Sequence, residues 1–342
     1  MPGAYLGWRV YTAGDVNGDG YSDIIAGAPS YLGSGRVYGF HGSSVGFSST
    51  PDWIVDSDQT ASEFGEAVST AGDVNGDGYS DVIVGACLYD NPENKEGKAF
   101  VYHGSSSGLS TSPAWTYESD QPGAEFGLWV STAGDVNGDG YSDVISTAWY
   151  YDDEEFDEGK AFLFHGSASG LSVPISWTAD GDQSGSQLGI SVSTAGDVNG
   201  DGYSDVIIGA NTYDNGETDE GRAYVYIGSS AGLLASPSWF AESNQAFSSF
   251  GARVSTAGDV NGDGYSDVMA SAIKFDNGET DEGKVFLYYG SSSGLSATPN
   301  WTSESNNENA WFGYQLKTAG DVNGDGYSDV IIGAEGFQTE KL

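Results

Sequence analysis

Asp73-Val74-Asn75-Gly76-Asp77-Gly78-Tyr79-Ser80-Asp81 decides the fold, because the same nine residues return from Asp15, Asp135, Asp197, Asp259 and Asp321. The intervals are 58 residues once and 62 residues four times. A fixed period of this length marks a repeat architecture, in which each unit completes its core against its neighbours. The first unit is short by four residues: Ala28 to Gly35 is seven steps, whereas Ala86 to Gly97 is eleven. The deletion falls in one connecting loop, where changes of length are tolerated.

Working outward from the nine residues, each unit reads as four short strands. In the third unit they fall at 126–133, before the Asp loop, at 143–148, at 159–166 and at 176–179. The Gly-Ser-Ala-Ser-Gly-Leu stretch between the last two is a turn by composition. No helical period is present. Four strands in about 62 residues match a propeller blade rather than a solenoid coil. The expectation is an all-β propeller of four-stranded antiparallel blades, six in number with the last incomplete. It is read as one domain, 1–342, with blades near 1–62, 63–124, 125–186, 187–248 and 249–310 and a partial blade at 311–342. An unpaired strand edge there predicts a partner strand or dimerisation through the sixth blade.

Composition narrows the function. The chain has 50 acidic residues against 11 basic ones, a net charge of −39. That argues against a nucleic-acid partner, since phosphate contacts need Lys and Arg. It argues against adhesion to anionic membranes for the same reason. No apolar run approaches the roughly 18 residues of a membrane helix, so direct membrane insertion is not expected. No leader pattern is legible. Cys87 is the lone cysteine and reads as a small buried residue.

Two other repeated positions read as scaffold. Trp53, Trp115, Trp177, Trp239 and Trp301 recur every 62 residues on the fourth strand, which suits packing between blades better than a ring of ligand platforms. His41, His103 and His165 each precede Gly-Ser, but Ile227 and Tyr289 hold the equivalent places. A catalytic base is not exchanged for isoleucine, so these are strand-end residues.

The loop itself has the chemistry of a calcium site. Calcium takes six to eight oxygens from carboxylates, amides and main-chain carbonyls. The odd positions supply them, the Tyr through its carbonyl: Asp15, Asn17, Asp19, Tyr21, Asp23; Asp73, Asn75, Asp77, Tyr79, Asp81; Asp135, Asn137, Asp139, Tyr141, Asp143; Asp197, Asn199, Asp201, Tyr203, Asp205; Asp259, Asn261, Asp263, Tyr265, Asp267; and Asp321, Asn323, Asp325, Tyr327, Asp329. Three carboxylates so close repel one another, and a divalent ion turns that repulsion into coordination. The alternative is a polar Asx-turn without metal. One Ca2+ per loop, six in all, is expected. The loop start resembles an EF-hand or a dockerin, but its closing acid comes at position nine and a strand follows, not a helix.

These residues resemble the FG-GAP repeat of integrin α-chain propellers. Phe64-Gly65, Phe126-Gly127, Phe250-Gly251 and Phe312-Gly313 match the first half, with Leu6-Gly7 and Leu188-Gly189 as variants. Gly27-Ala28-Pro29 matches the second half in full. Gly85-Ala86, Gly209-Ala210 and Gly333-Ala334 keep Gly-Ala, while Thr147-Ala148 and Ser271-Ala272 keep only Ala. The resemblance covers nearly the whole chain. It implies a calcium-binding propeller with ligand recognition on the face opposite calcium. Integrin α chains have seven repeats and this chain shows six loops. The near-identity of the units points by analogy to a prokaryotic relative.

On that opposite face two features suggest a ligand. The loops between second and third strands carry Tyr89-Asp90-Asn91, Tyr150-Tyr151-Asp152-Asp153, Tyr213-Asp214-Asn215 and Phe275-Asp276-Asn277, aromatics beside acids that either stack on a sugar or form an ordinary charged rim. The residues after each first-strand Gly differ between units, which selects Trp8, Trp129, Arg253 and Tyr314 as ligand contacts. The leading expectation is an extracellular or cell-surface adhesion and recognition module for protein or glycan ligands. The alternatives are a calcium-stabilised scaffold of a larger surface protein, and a polysaccharide lyase or hydrolase. No catalytic residues are selected, because no cluster breaks the repeat.

Overall fold

The second strands of the second to fifth repeats are runs such as Asp81–Ala86, mostly apolar on both sides of the chain and buried at all six positions. Such continuous burial requires cover on both faces of the sheet. The computed structural model, which describes residues 3–337, provides it by stacking sheets. Among the described residues there are five four-stranded antiparallel sheets and one of two strands, each in chain order from first strand to last. These are the blades of a β-propeller. In the second repeat the strands are Ala67–Gly72, Asp81–Ala86, Lys98–Tyr102 and Trp115–Glu118. The sixth repeat has Phe312–Gly320 and Asp329–Ala334. First strands in the fifth and sixth repeats begin at the Phe, whereas in the third repeat pairing begins only at Trp129, three residues later than the sequence suggests. The Phe126 N–H goes to Glu96 O of the preceding repeat, as those of Phe250 and Phe312 go to Glu220 O and Glu282 O; the latter two also pair with Ala272 and Ala334 across a register shift, which carries their strands back to the Phe.

The chain clusters into two compact units. One holds the first three repeats and has a core of Phe126, Phe162, Phe164, Trp115, Val144 and their neighbours, continued by Phe64, Phe100, Tyr102 and Trp53. The other holds the last three and centres on Phe250, Phe286, Tyr288, Val225 and Val268.

The Phe-Gly half of the motif joins consecutive repeats. Phe64 forms a parallel bridge with Gly35, Phe126 with Gly97 and Phe250 with Gly221. Their rings are fully buried and meet the third-strand aromatics Phe100, Phe162 and Phe286 edge to face at 5.3 Å. Burying one such ring contributes about 2–3 kcal/mol. The two glycines of the motif meet across the same boundary. A Cβ on Gly85 would lie 1.8 Å from Gly127 O, and one on Gly209 would lie 1.9 Å from Gly251 O. Glycine is required there because backbone approaches backbone.

The recurrent Trp is a packing residue, as expected. Trp53 meets Tyr102 of the next repeat and donates to Ser110 O at 2.9 Å; Trp239 does the same with Tyr288 and Ser296 O. Trp301 is 41% exposed. A glutamine latch adds to this. Gln59 donates to Asp90 O and accepts from Asp90 N, both at 2.7 Å, and Gln121, Gln183 and Gln245 repeat the pair on Asp152, Asp214 and Asp276.

Candidate metal loops

The Asp loop is set up by the residue pair before it. Thr70 Oγ1 accepts the Gly72 N–H at 3.1 Å, and the register shifts between these two residues. The bulge swings the chain out of the sheet. Thr12, Thr132, Thr194, Thr256 and Thr318 act alike.

The loop then closes on its own carboxylates. Asp73 Oδ1 accepts the N–H of Gly76 at 2.7 Å and of Asp77 at 3.1 Å, and Oδ2 accepts that of Gly78 at 2.8 Å. Asn75 Oδ1 accepts from Asp77 N at 2.9 Å, and Asp77 Oδ1 from Tyr79 N at 3.1 Å. Gly76 and Gly78, at φ +72° and +89°, permit the wrap. The same bonds recur in the first, fourth, fifth and sixth loops. In the third loop Asp135 accepts from Asp139 N and Gly140 N, and Asp139 from Tyr141 N.

The position-nine acid differs from the others. Asp81 opens the second strand and is fully buried. Its Oδ2 accepts from Val74 N and its Oδ1 from Gly104 N, each at 2.9 Å. Burial pushes its pKa up to about 7; the two N–H groups oppose the rise and Asp77 and Asp73 add to it. Asp205 is also raised to about 7 and Asp267 to about 6, again chiefly by desolvation, and Asp23 is raised in the same direction. At the exposed sixth loop the backbone N–H groups hold Asp321 below its usual range.

The donor set fits a hard divalent cation. Each carboxylate offers about four acceptor sites, and the backbone takes three on Asp73 and two on Asp81. The residues that would hold the ion are the five predicted in each loop. A buried carboxylate kept from full ionisation by desolvation and like charges is what a cation would relieve.

Consecutive loops also touch. Ser80 N donates to Asp15 O at 3.0 Å, and the Tyr79 ring lies where a Cβ on Gly18 would stand. Sequence reasoning missed these links, the Thr lock and the Gly104 donor. The unchanging Ser-Thr-Ala-Gly or Tyr/Lys-Thr-Ala-Gly lead-in was the available signal for the lock.

At the opposite strand ends the aromatics are already covered. Tyr89, Tyr151, Tyr213 and Phe275 lie beneath the cations of Lys98, Lys160, Arg222 and Lys284 at 4.7, 5.2, 4.0 and 5.0 Å. They serve as lids for the basic residue that opens each third strand, which favours the charged-rim reading over sugar stacking. Of the four proposed ligand contacts, Trp8 is 49% exposed and donates to Glu66 at 2.6 Å. Arg9 lies over both Trp8 and Trp129, at 5.8 and 4.6 Å. In the other unit Arg253 Nε donates to Tyr314 O at 3.1 Å, with its guanidinium 4.9 Å from that ring. A cleft of about 350 Å3 beside Trp8 is lined by Tyr5, Pro29, Ser30, Glu63 and Glu66.

The FG-GAP repeat model matches residues 6–40, 64–102, 188–226, 250–288 and 312–340. The third repeat, where Thr147 replaces the second glycine, lies outside these matches. The chain is 35% identical to integrin alpha-4 of Xenopus laevis over 213 residues, which is 61% of this chain and 20% of that protein. It is 32% identical to integrin alpha-PS2 of Drosophila melanogaster over 227 residues, 62% of this chain and 16% of that protein. It is 31% identical to integrin alpha-V of Gallus gallus over 225 residues, 61% and 20% respectively. The matches thus span a fifth or less of each relative's length.

Proposed function

The chain belongs to the FG-GAP repeat family, and from that premise we propose that it is a calcium-loaded recognition module working outside the cell or at its surface. One observation carries the reading. The same backbone-wrapped loop is built six times, and in the first five its position-nine carboxylate is buried, where ionisation is costly without a cation. Asp, Asn, Asp, the Tyr carbonyl and Asp of each loop would hold one Ca2+, six in all, and the bound ion would neutralise the wrap. Extracellular calcium, near millimolar, suits even weak sites of this kind. No helix among the described residues is long and apolar enough to cross a membrane.

Recognition is assigned to the strand ends away from the Asp loops. The cleft at Trp8 combines aromatic rings with two carboxylates. Burial raises the pKa of Glu66, and Trp8 and Arg9 oppose that rise. Such a cleft suits a cationic side chain of a protein ligand more than a sugar. Trp129 is held beside it through Arg9. Arg253 and Tyr314 form a second, separate pair.

The test is a binding screen against matrix proteins and glycans, run with calcium and again with chelator, with calorimetry to count bound ions. Calcium-dependent capture of a protein, lost in Trp8→Ala, is the expected result. Zero bound calcium in the folded protein would overturn the metal assignment. A calcium-loaded protein that binds no ligand would move the reading to a structural scaffold.

A further inference from the structure

The Asp loops are not the only place where carboxylates gather. In the second repeat Glu96, Glu118 and Asp120 bring oxygens to within 4.8 Å of one another. They lie at the opposite strand ends from the loops: Glu96 two residues before the third strand begins at Lys98, Glu118 at the end of the fourth, and Asp120 in the turn beyond it. Glu96 is fully buried, and neither of its carboxylate oxygens has a hydrogen-bond partner. The Asn91 N–H is close enough to oppose the rise in its pKa that burial, Glu118, Asp120 and Glu93 impose, but makes no aligned bond.

This arrangement is peculiar to the second repeat. The counterparts of Glu96 are Glu158, Glu220 and Glu282, and each accepts a backbone N–H: Glu158 from Glu154 at 2.9 Å, Glu220 from Asn215 at 2.7 Å, Glu282 from Asn277 at 2.5 Å. The fourth and fifth repeats carry Asn244 and Asn306 where the second has Asp120, and the third, which keeps an acid there in Asp182, has its Glu158 bonded. Among the described residues, only the second repeat therefore pairs an acid at that position with a buried glutamate whose two carboxylate oxygens are both unbonded.

The local charge does not balance. Lys98 Nζ lies 2.5 Å from Glu118 Oε1, and Asn91 Nδ2 donates to Glu118 Oε2 at 2.8 Å. One ammonium against three carboxylates leaves about two negative charges around a buried, unbonded group, a costly state without compensation. The ligand atoms are all hard oxygens. We infer that Glu96, Glu118 and Asp120 form a divalent-cation site of the calcium and manganese class, separate from the six Asp loops. An ion there clamps the start of the third strand to the end of the fourth. It also steadies the Glu96 carbonyl, which receives the Ser119 hydroxyl at 2.7 Å and the Phe126 N–H of the next repeat at 3.0 Å.

Crystals of the whole chain soaked in millimolar Mn2+ at pH 7.5 read the site by anomalous scattering. The expected map has a peak within coordination distance of Glu96, Glu118 and Asp120. In Asp120→Asn, which installs the residue of the fourth and fifth repeats, that peak falls at least fivefold in occupancy. Glu96→Gln abolishes it. Peaks at the Asp loops report their own occupancy in the same maps, so failure here and failure of the loop assignment are read apart. Loop peaks without a peak at Glu96 would overturn the inference and leave Glu96 holding a proton. A peak unchanged by both substitutions would overturn it equally.

Discussion

Gly85→Ala and Gly333→Ala place the same methyl group at the same motif position with opposite expected consequences. Gly85 faces the next repeat, and its new Cβ would stand 1.8 Å from Gly127 O, 2.8 Å from Gly127 C and 3.3 Å from Gly127 Cα. Ordinary carbon–oxygen contact needs well over 3 Å, so one backbone must retreat by more than 1 Å. That backbone is tied: Gly127 N donates to Thr147 O at 3.0 Å, and the adjoining Phe126 is locked to Glu96 O. Overpacking of this kind costs about 1–3 kcal/mol, and a backbone obstacle places the cost at the upper end. Gly333 faces no following repeat among the described residues, and its Cβ would come no nearer than 3.3 Å to Gln315 Cβ, with Gln315 N and Cγ at 3.8 and 3.9 Å. Neither glycine needs a positive φ, so the alanine also restricts the unfolded chain, a gain of about 0.4–1 kcal/mol that Gly333→Ala keeps. Unfolding entropy is about 2.1 cal/mol/K per residue, so a loss of about 3 kcal/mol lowers Tm by roughly 4 °C if the whole chain unfolds together and roughly 8 °C if half does. Differential scanning calorimetry in calcium provides the comparison. Equal shifts for the two variants, or no shift for Gly85→Ala, would refute the account of the motif as a backbone contact between repeats.

The remaining predictions concern the metal loops, their pH dependence and the latches. Excess chelator lowers Tm, since ligands that bind only the folded form stabilise it, and an unchanged melt argues against filled structural sites. Asp77→Ala removes one ion by calorimetric count and weakens the neighbouring loops by no more than about threefold, because adjacent loops touch through bonds such as Ser80 N to Asp15 O and Ser142 N to Asp73 O and through the Tyr79 ring, while each draws its five ligands from itself; loss of every ion at once would contradict this. In chelator, Asp81, Asp205 and Asp267 bind protons more tightly folded than unfolded, because burial raises them from 3.8 to about 7, 7 and 6. That stabilisation is complete below about pH 4 and is lost as pH rises through 6 to 7, so chelated protein melts lower at pH 8 than at pH 5.5; a rising or flat profile over that span would be incompatible with buried, raised carboxylates. Gln59→Ala removes both bonds to Asp90 and costs about 1–2 kcal/mol, read by urea denaturation, whereas Trp115→Phe loses no hydrogen bond, since Trp115 Nε1 has none.

Much of the fold was legible because the repeat supplies six readings of each position. The Asp loop, the apolar second strand and the fourth-strand Trp all stood where expected, and the second strand of the third repeat begins and ends at the expected residues. First-strand boundaries were less legible: the Phe-Gly segment has strand composition, but the Phe N–H serves the preceding repeat while the Gly N–H bonds within its own, a tertiary choice that leaves no local signature. The aromatics at the far strand ends were ambiguous for a similar reason. Tyr89 beside Asp90 reads as a sugar platform until Lys98, nine residues on, is seen to lie on its ring. Glu96 was passed over because a Glu-Gly pair stands at the same place in the later repeats, and only the backbone around it shows that this copy lacks the hydrogen bond the others have.

The bridges that join Phe64 to Gly35, Phe126 to Gly97 and Phe250 to Gly221 also set an order of assembly during synthesis. In each case the sealing residue lies 29 positions downstream of the glycine it covers. At roughly 5–20 residues per second, a nascent blade leaving the ribosome waits about 1.5–6 s for the Phe that closes it. Until then the third-strand aromatics are open to solvent and to other nascent chains. At these three boundaries the geometry favours closure in the order of synthesis, each blade being sealed by a residue of its successor.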